Sequence, residues 1–338
     1  LETFNPTSVL CTGRDIITLW VSRMVMFNRH FNQQRVPFRH VYINPMIQDG
    51  HGQRMSKSLG NGVDPRDIIH SHGADAMRFT VAGMATGTQD AKLPVDMISP
   101  WSGETFAPKE ITTAAGHRVS APEQTCPKTG KAMVSAYGVA ANAATPSDDA
   151  PLARNTSSKF DQGRNFCNKL WNATRFALGT ISEPAGPDAV VPADRPLVDR
   201  WILSRLARTI GTVDAAVADY QFAVYAGAMY DLVWRDVCDW YLEAIKPTAR
   251  DDQRQQQVLR TVLDGMLRLL HPVCPFVTEA IWPAVQAGGP AGVRGLDLAA
   301  SELLAGAAWP DPAAAAALVD EEAEATFGRM QELVGAIR

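Results

Sequence analysis

The chain has 338 residues, a net charge of −4, 46% apolar residues and 20% charged residues. That length suits two or three domains with sizeable cores, and the slightly acidic balance confines any nucleic-acid contact to local patches. The five cysteines form no CxxC pair, and no apolar run reaches the roughly 18 residues of a membrane span. The expectation is a reduced, cytoplasmic protein with no disulfide scaffold, metal site, signal peptide or membrane partner.

In chain order, Ser8-Val9-Leu10-Cys11-Thr12 is a short apolar run ending at Gly13, which reads as a buried parallel strand. Residues 16–27 are apolar and long enough for a helix, with Trp20, Met24 and Phe27 spaced by four and three. His40-Val41-Tyr42-Ile43 reads as a second strand. Next comes Arg54-Met55-Ser56-Lys57-Ser58-Leu59-Gly60-Asn61-Gly62. Two cations, two hydroxyls and two glycines in nine residues suit a mobile loop that closes on a polyphosphate. Lysine supplies a compact point charge, arginine a planar fork, serine a hydroxyl donor, and glycine lets the backbone approach closely. Helical stretches at 66–71 and 74–84 follow, with Gly73 as the break. A strand, a helix, a strand and then a phosphate loop is the pattern of a doubly wound α/β sheet, in which ligands sit beyond the strands' carboxyl ends.

Residues 97–160 accumulate Gly, Ala, Thr, Ser and Pro, and are expected to be a flexible insertion. Within them, Cys126-Pro127-Lys128-Thr129-Gly130 looks like a zinc knuckle but lacks the second cysteine pair that zinc requires. From 161 to about 282 the spacing is helical: Ile202, Leu206, Ile210, Val213 and Val217, then Phe222, Ala226, Met229, Val233, Val237, Trp240 and Ala244, then Val258, Val262, Met266 and Leu269. This predicts an antiparallel helix bundle whose aromatics are mostly core. Residues 284–317 read as loosely structured, and 319–338 as one more helix, cut off at Arg338.

The 54–58 string resembles the Lys-Met-Ser-Lys-Ser signature of class I aminoacyl-tRNA synthetases, with arginine in place of the first lysine. Further segments resemble the valyl-tRNA synthetases in particular: residues 12–24, Val63-Asp64-Pro65, residues 73–80, Thr88-Gln89-Asp90, residues 164–176, Asp239-Trp240-Tyr241-Leu242-Glu243 and residues 270–276. The resemblance covers 1–96 and 161–312. It implies a fold of α/β plus all-α class: the C-terminal half of a Rossmann-like catalytic domain (1–96), then an antiparallel helix-bundle anticodon-binding domain (161–312), with 313–338 a linker and the start of a truncated helix. It implies ATP-dependent activation of valine and its transfer to tRNA(Val), with ATP as substrate accompanied by Mg2+, and a monomer in full-length form. His-x-Gly-His, the family's other signature, is absent, and His70-Ser71-His72-Gly73 only echoes it. The chain is therefore expected to be a fragment, inactive alone.

Residue by residue, the resemblance implies that Lys57 is catalytic and contacts the phosphates, with Arg54, Ser56 and Ser58 supporting them and Met55 near adenine. Gly13 and Asp15 would meet the ribose, and Trp20 would wall the amino-acid pocket. Lys92, Lys169, Arg175 and Phe176 would contact tRNA. Other readings stand beside these: Asp15 as a helix cap, Trp20 and Phe176 as core, and the cations as a solvated face. Asn168 and Asn172 are expected to brace the bundle, and His271 to be a structural histidine at a helix end. An isoleucyl-type enzyme and a non-catalytic tRNA-binding protein are the competing functions.

Overall fold

The computed structural model describes residues 3–87, 89–181, 192–289 and 291–337. The expected first strand forms as β1 (Thr7–Gly13) and pairs in parallel with β2 (Phe38–Asn44), from Thr7 opposite Phe38 to Gly13 opposite Asn44. Their connection is composite. A 3-10 turn (Arg14–Ile16) and a wide π-helical turn (Ile17–Val21) precede α1 (Ser22–Phe31). A second parallel pair joins β3 (Ile47–Asp49), across α2 (Pro65–His72) and α3 (Ala74–Met84), to β4 (Ala91–Leu93). One strand–helix–strand crossover and a second parallel strand pair thus stand where the sequence expects half of a doubly wound sheet. The first strand is less buried than its pattern implies: Ser8 and Cys11 are exposed and only Thr12 is buried, because a parallel sheet buries its strands only where helices cover both faces.

Residues 97–160 are not the flexible segment expected. They fold into β5 (Asp96–Ile98), β6 (Thr105–Phe106), β7 (Glu110–Thr112), β8 (Arg118–Ser120), β9 (Glu123–Thr125), β10 (Ala132–Val134), the short helix α4 (Ala136–Ala140) and β11 (Arg154–Thr156). β7–β8 and β9–β10 are antiparallel hairpins, while β5 pairs with both β11 and β6. Met97, Cys126, Met133 and Ala153 make a small core of their own. Short hairpins need few apolar residues each, so composition alone understates their order. Cys126 sits in the β9–β10 turn, and no metal-holding group of three His, Cys, Asp or Glu residues occurs among the described residues. Residues 1–68 and 84–159 form one compact unit.

The second unit comprises 69–83 and 160–338. Its helices are α5 (Lys159–Leu178), α6 (Leu197–Ala218), α7 (Phe222–Tyr230), a π-helical continuation (Asp231–Tyr241), α8 (Leu242–Ile245), α9 (Gln253–Leu270), α10 (Pro275–Gln286), the short α11 (Pro312–Ala315) and α12 (Glu321–Ile337). Helix α9 is enclosed on all sides: every residue from Gln255 to Leu270 is buried. Several of its polar side chains find partners inside. Arg268 pairs with Asp264 and donates to the carbonyls of Ala299 and Ala308, while Gln257 donates to Gly292 O. The expected loose stretch 284–317 instead contains the hairpin β12 (Ala291–Val293) and β13 (Leu296–Leu298), with Ala291, Val293, Leu296 and Leu298 all buried.

Two segments that the sequence offered only as resemblance fasten to each other in this unit. The Asp75 carboxylate accepts from the backbone N–H groups of Phe276 (3.1 Å) and Val277 (2.6 Å), satisfying free donors at the start of α10. Arg78 donates to the carbonyls of Pro272 (2.8 Å) and Val273 (3.1 Å) at the end of α9. His271 is structural, as expected: Nδ1 lies 2.9 Å from Thr278 Oγ1. His72, from the echo of the histidine signature, is buried 3.5 Å from Asp161, and burial holds its imidazole below the ordinary value.

Burial pushes Asp199 up to about 6, although Tyr241 donates to its carboxylate at 2.9 Å and Gln255 at 3.4 Å. A carboxyl whose folded value is raised releases its proton more easily in the unfolded chain. Stability from this group is therefore greatest below about pH 4 and is lost as pH rises to about 6. Asp199→Asn keeps an acceptor for Tyr241 and removes the buried charge. It is expected to raise the unfolding free energy at pH 8 by about 1–2 kcal/mol and to change it little at pH 4.5. Urea melts at both pH values check this, and a loss of stability at pH 8 would contradict it.

Candidate functional site

The phosphate-type loop is stitched from inside by two residues that sequence reasoning missed. Asp49, buried at the end of β3, accepts from Asn61 Nδ2 (2.8 Å), Gln53 Nε2 (2.8 Å), Gln53 N (2.9 Å) and His51 N (3.0 Å). Burial raises the Asp49 carboxyl, but the hydrogen bonds from Asn61, Gln53 and His51 outweigh it and hold the group below its ordinary value. Asn61 in turn accepts from Ser56 N at 2.9 Å, spanning the loop's neck. The signals were present: an Asp three residues before a glycine at 49–52, and an asparagine between two glycines at 60–62. Gly60 has φ +54°, and a Cβ there would overlap the backbone of Ala136 and Tyr137.

At the tip, Lys57 and Ser58 are exposed, and Lys57 has no ion-pair partner among the described residues. Ser56 Oγ accepts from Leu59 N at 3.2 Å and lies 3.2 Å from Ser58 Oγ, so both hydroxyls are already close together. Met55 is half-buried beneath them. Arg54 Nη2 meets Asp15 Oδ2 at 2.9 Å. That pair is exposed and worth little, about 0.2–1 kcal/mol, so a ligand can displace it.

Asp15 does not cap the following turn with its side chain. Beside it, a Cβ on Gly13 would lie 2.8 Å from Asp15 Oδ1 and 3.3 Å from Met46 Sδ, so a side chain there would displace those two side-chain ends. Arg14 forks onto Asp90 with contacts of 2.8 and 2.6 Å, and Asp90 also accepts from Met46 N (3.2 Å) and Gln48 Nε2 (2.9 Å). One carboxylate thereby ties the end of β1 to the start of β3, which brings Gly13 and Asp15 to the loop. Trp20 is not core: it is 44% exposed on the wide turn, beside exposed Ile16, Ile17 and Leu19. Lys92 projects from β4, its Nζ 3.8 Å from where a Cβ on Gly52 would stand.

Lys169, Arg175 and Phe176 lie in the second unit, on α5, within two turns of one another. Lys169 Nζ pairs with Asp239 at 2.5 Å and sits 3.9 Å above the Trp234 ring. Arg175 is exposed, and Phe176 is 42% exposed with Lys246 Nζ 5.5 Å from its ring. Phe176 is therefore not core. Asn168 and Asn172 are exposed on the same helix rather than bracing it. With Arg175 and Phe176 they form a face that offers amide donors, a cation without an ion-pair partner among the described residues and an aromatic platform.

The family described as tRNA synthetases class I (I, L, M and V) matches residues 1–94, and the anticodon-binding domain of tRNA ligase matches residues 199–338. A valine–tRNA ligase of Rhodopirellula baltica is 41% identical over 351 aligned positions, covering 100% of this chain and 32% of that protein. A valine–tRNA ligase of Thermotoga maritima is 34% identical and covers 100% of this chain and 30% of that protein. These alignments run through 97–160, the stretch in which the sequence alone gave no recognisable counterpart. The LeuRS of Agrobacterium radiobacter K84, solved as a ternary complex with tRNA and LeuAMS, shares the fold with a TM-score of 0.57 at 18% identity. That match covers 95% of this chain and 30% of that one. The chain spans about a third of the length of the curated relatives it matches. It belongs to the class I tRNA synthetases, combining part of their catalytic domain with their anticodon-binding domain and resembling valine–tRNA ligases throughout.

Proposed function

We propose that the chain supplies the triphosphate-closing loop and the anticodon-binding bundle of a valine–tRNA ligase. The observation that carries this reading is the 54–62 loop. Its neck is fixed by Asn61 and Asp49, while Lys57 stands at its tip with no ion-pair partner among the described residues. In the first step, the carboxylate of valine attacks the α-phosphate of ATP, giving valyl-adenylate and releasing pyrophosphate. No covalent enzyme nucleophile is required, so the protein's task is to stabilise charge on the transferring group. The Lys57 ammonium meets the phosphate oxygens in the transition state, and the Ser56 and Ser58 hydroxyls donate to them. Arg54 leaves Asp15 to add its charge, and Asp15 then accepts from the ribose hydroxyls, with Gly13 allowing the ribose to come close. Met55 packs near adenine, and Trp20 walls the valine pocket.

Mg2+ enters this reading only as the ion carried by ATP. Asp49 is saturated with hydrogen bonds and Asp15 is given to the ribose, which leaves the substrate phosphates as the ion's main ligands. In the second step the valyl group passes to the terminal ribose of tRNA(Val). Arg175 and Lys169 meet phosphates or anticodon bases, Phe176 stacks on an unpaired base, and Lys92 contacts the tRNA separately. The setting is the cytoplasm and the complete enzyme is a monomer. No described helix is long and apolar enough to cross a membrane.

ATP–pyrophosphate exchange by the complete enzyme carrying this chain, run with valine and with isoleucine, tests the reading. Exchange is expected to be faster with valine by about 10²-fold, the ceiling set by one methylene. Faster exchange with isoleucine, or none with either, would overturn it.

A further inference from the structure

The stretch 97–160 holds the phosphate loop at both flanks. At the leading flank, Gln53 pairs with the backbone of β8 in both directions: Arg118 N donates to Gln53 Oε1 at 2.9 Å, and Gln53 Nε2 donates to Arg118 O at 2.6 Å. Next to it, His51 Nε2 lies 2.7 Å from Glu110 Oε1, and Glu110 Oε2 pairs with Arg118 at 2.9 Å. At the trailing flank, Asn155 Nδ2 donates to Gly60 O and to Gly62 O, each at 2.8 Å. Gly60 also rests against the start of α4 with no room for a side chain.

Asn155 is the informative residue. It is buried on β11, and both amide hydrogens are used on loop carbonyls, which fixes its orientation because only the NH₂ end can donate. Its Oδ1 is buried with no partner among the described residues. A buried acceptor without a donor costs stability, so the side chain is poorly suited to being simple filler. Its two bonds both end on the loop. Between the two held flanks lie Lys57 and Ser58, both exposed; Ser58 Oγ meets only Ser56 Oγ within the loop, and Lys57 has no ion-pair partner among the described residues.

We propose that 97–160 is a positioning module for the phosphate loop, with Asn155 as its principal positioning residue. It fixes the loop's two ends so that closure on the triphosphate moves only the tip. Restricting the motion to a few residues lowers the ordering that must accompany the transition state, so the module acts on the rate of activation more than on substrate affinity. The proposal rests on the reading of 54–62 as the triphosphate loop.

The test is Asn155→Asp in the complete enzyme carrying this chain. The substitution preserves size but removes both donors. Hydrogen exchange of the 54–62 peptide is expected to rise by about fivefold or more. The kcat of valine-dependent pyrophosphate exchange is expected to fall by about tenfold, with the KM for valine unchanged. Gln53→Ala, at the other flank, is expected to show the same pattern and serves if Asn155→Asp fails to fold. Wild-type exchange of the 54–62 peptide in a folded variant would overturn the proposal, as would a kcat that stays at the wild-type value. If the wild-type enzyme shows no valine-dependent activity, the functional reading has failed, and the hydrogen-exchange result still decides whether 97–160 positions the loop.

Discussion

Alanine at Lys57 is expected to reduce valine-dependent ATP–pyrophosphate exchange by about 10²–10³-fold, with a much smaller change in the KM for ATP. The reason lies in where the side chain stands. It is exposed at the loop tip, it has no ion-pair partner among the described residues, and the loop beneath it is braced by Asn61 and Asp49. Removing it therefore disturbs little of the fold. On the proposed function, what is lost is a charge that would meet the phosphates chiefly once the loop has closed, and an interaction made chiefly in the transition state appears in kcat. Steady-state exchange kinetics over a range of ATP concentrations measure both quantities. A near-normal kcat would remove Lys57 from the chemistry, and an unchanged kcat with a raised KM would make it a ground-state binder.

Phe166→Ala is expected to cost the second unit about 3–5 kcal/mol of unfolding free energy. Phe166 is fully buried, stacked 4.2 Å from Phe79 on α3 and 5.9 Å from Tyr230 at the end of α7. Truncation would empty a site lined from three helices, which cannot all move in to fill it. Urea denaturation followed by circular dichroism provides the measurement. A loss below about 1 kcal/mol would show that the helices collapse onto the gap.

The helix spacing in the sequence anticipates the bundle's core to a definite point. Ile202, Leu206, Ile210 and Val213 are buried as spaced, and so are Ala226, Met229, Val233 and Val237. The run then departs from expectation: Trp240 is half-buried and Ala244 exposed, while Tyr241 and Ile245 are buried. The cause is the π-helical stretch Asp231–Tyr241, whose wider turns advance the buried face by one residue. No pattern of residue types marks such a turn, because it is selected by tertiary packing. Burial around the whole of α9 was equally hidden, since polar residues such as Gln257, Asp264 and Arg268 read as a solvated face until their partners are known.

At the site, the loop was legible because its chemistry is local: charge, hydroxyls and glycines within nine residues. What fixes it was not. Asp49, Asp90 and Asn155 act across 12, 44 and 95 residues of chain, on Asn61, Met46 and Gly60 respectively. A lone Asp or Asn in the sequence carries no sign of a partner at such distances. Short hairpins explain why 97–160 read as flexible, because their order comes from pairing and not from composition.

Valylation of tRNA(Val) by the complete enzyme carrying this chain tests the central claim most directly, because it needs both the loop and the bundle. Valine is expected to be transferred to tRNA bearing a valine anticodon. Lys57→Ala should depress both exchange and charging, whereas Arg175→Ala with Phe176→Ala should depress charging and leave exchange near wild type. Charging with isoleucine in preference to valine, or charging indifferent to the anticodon and to Arg175 and Phe176, would contradict the account.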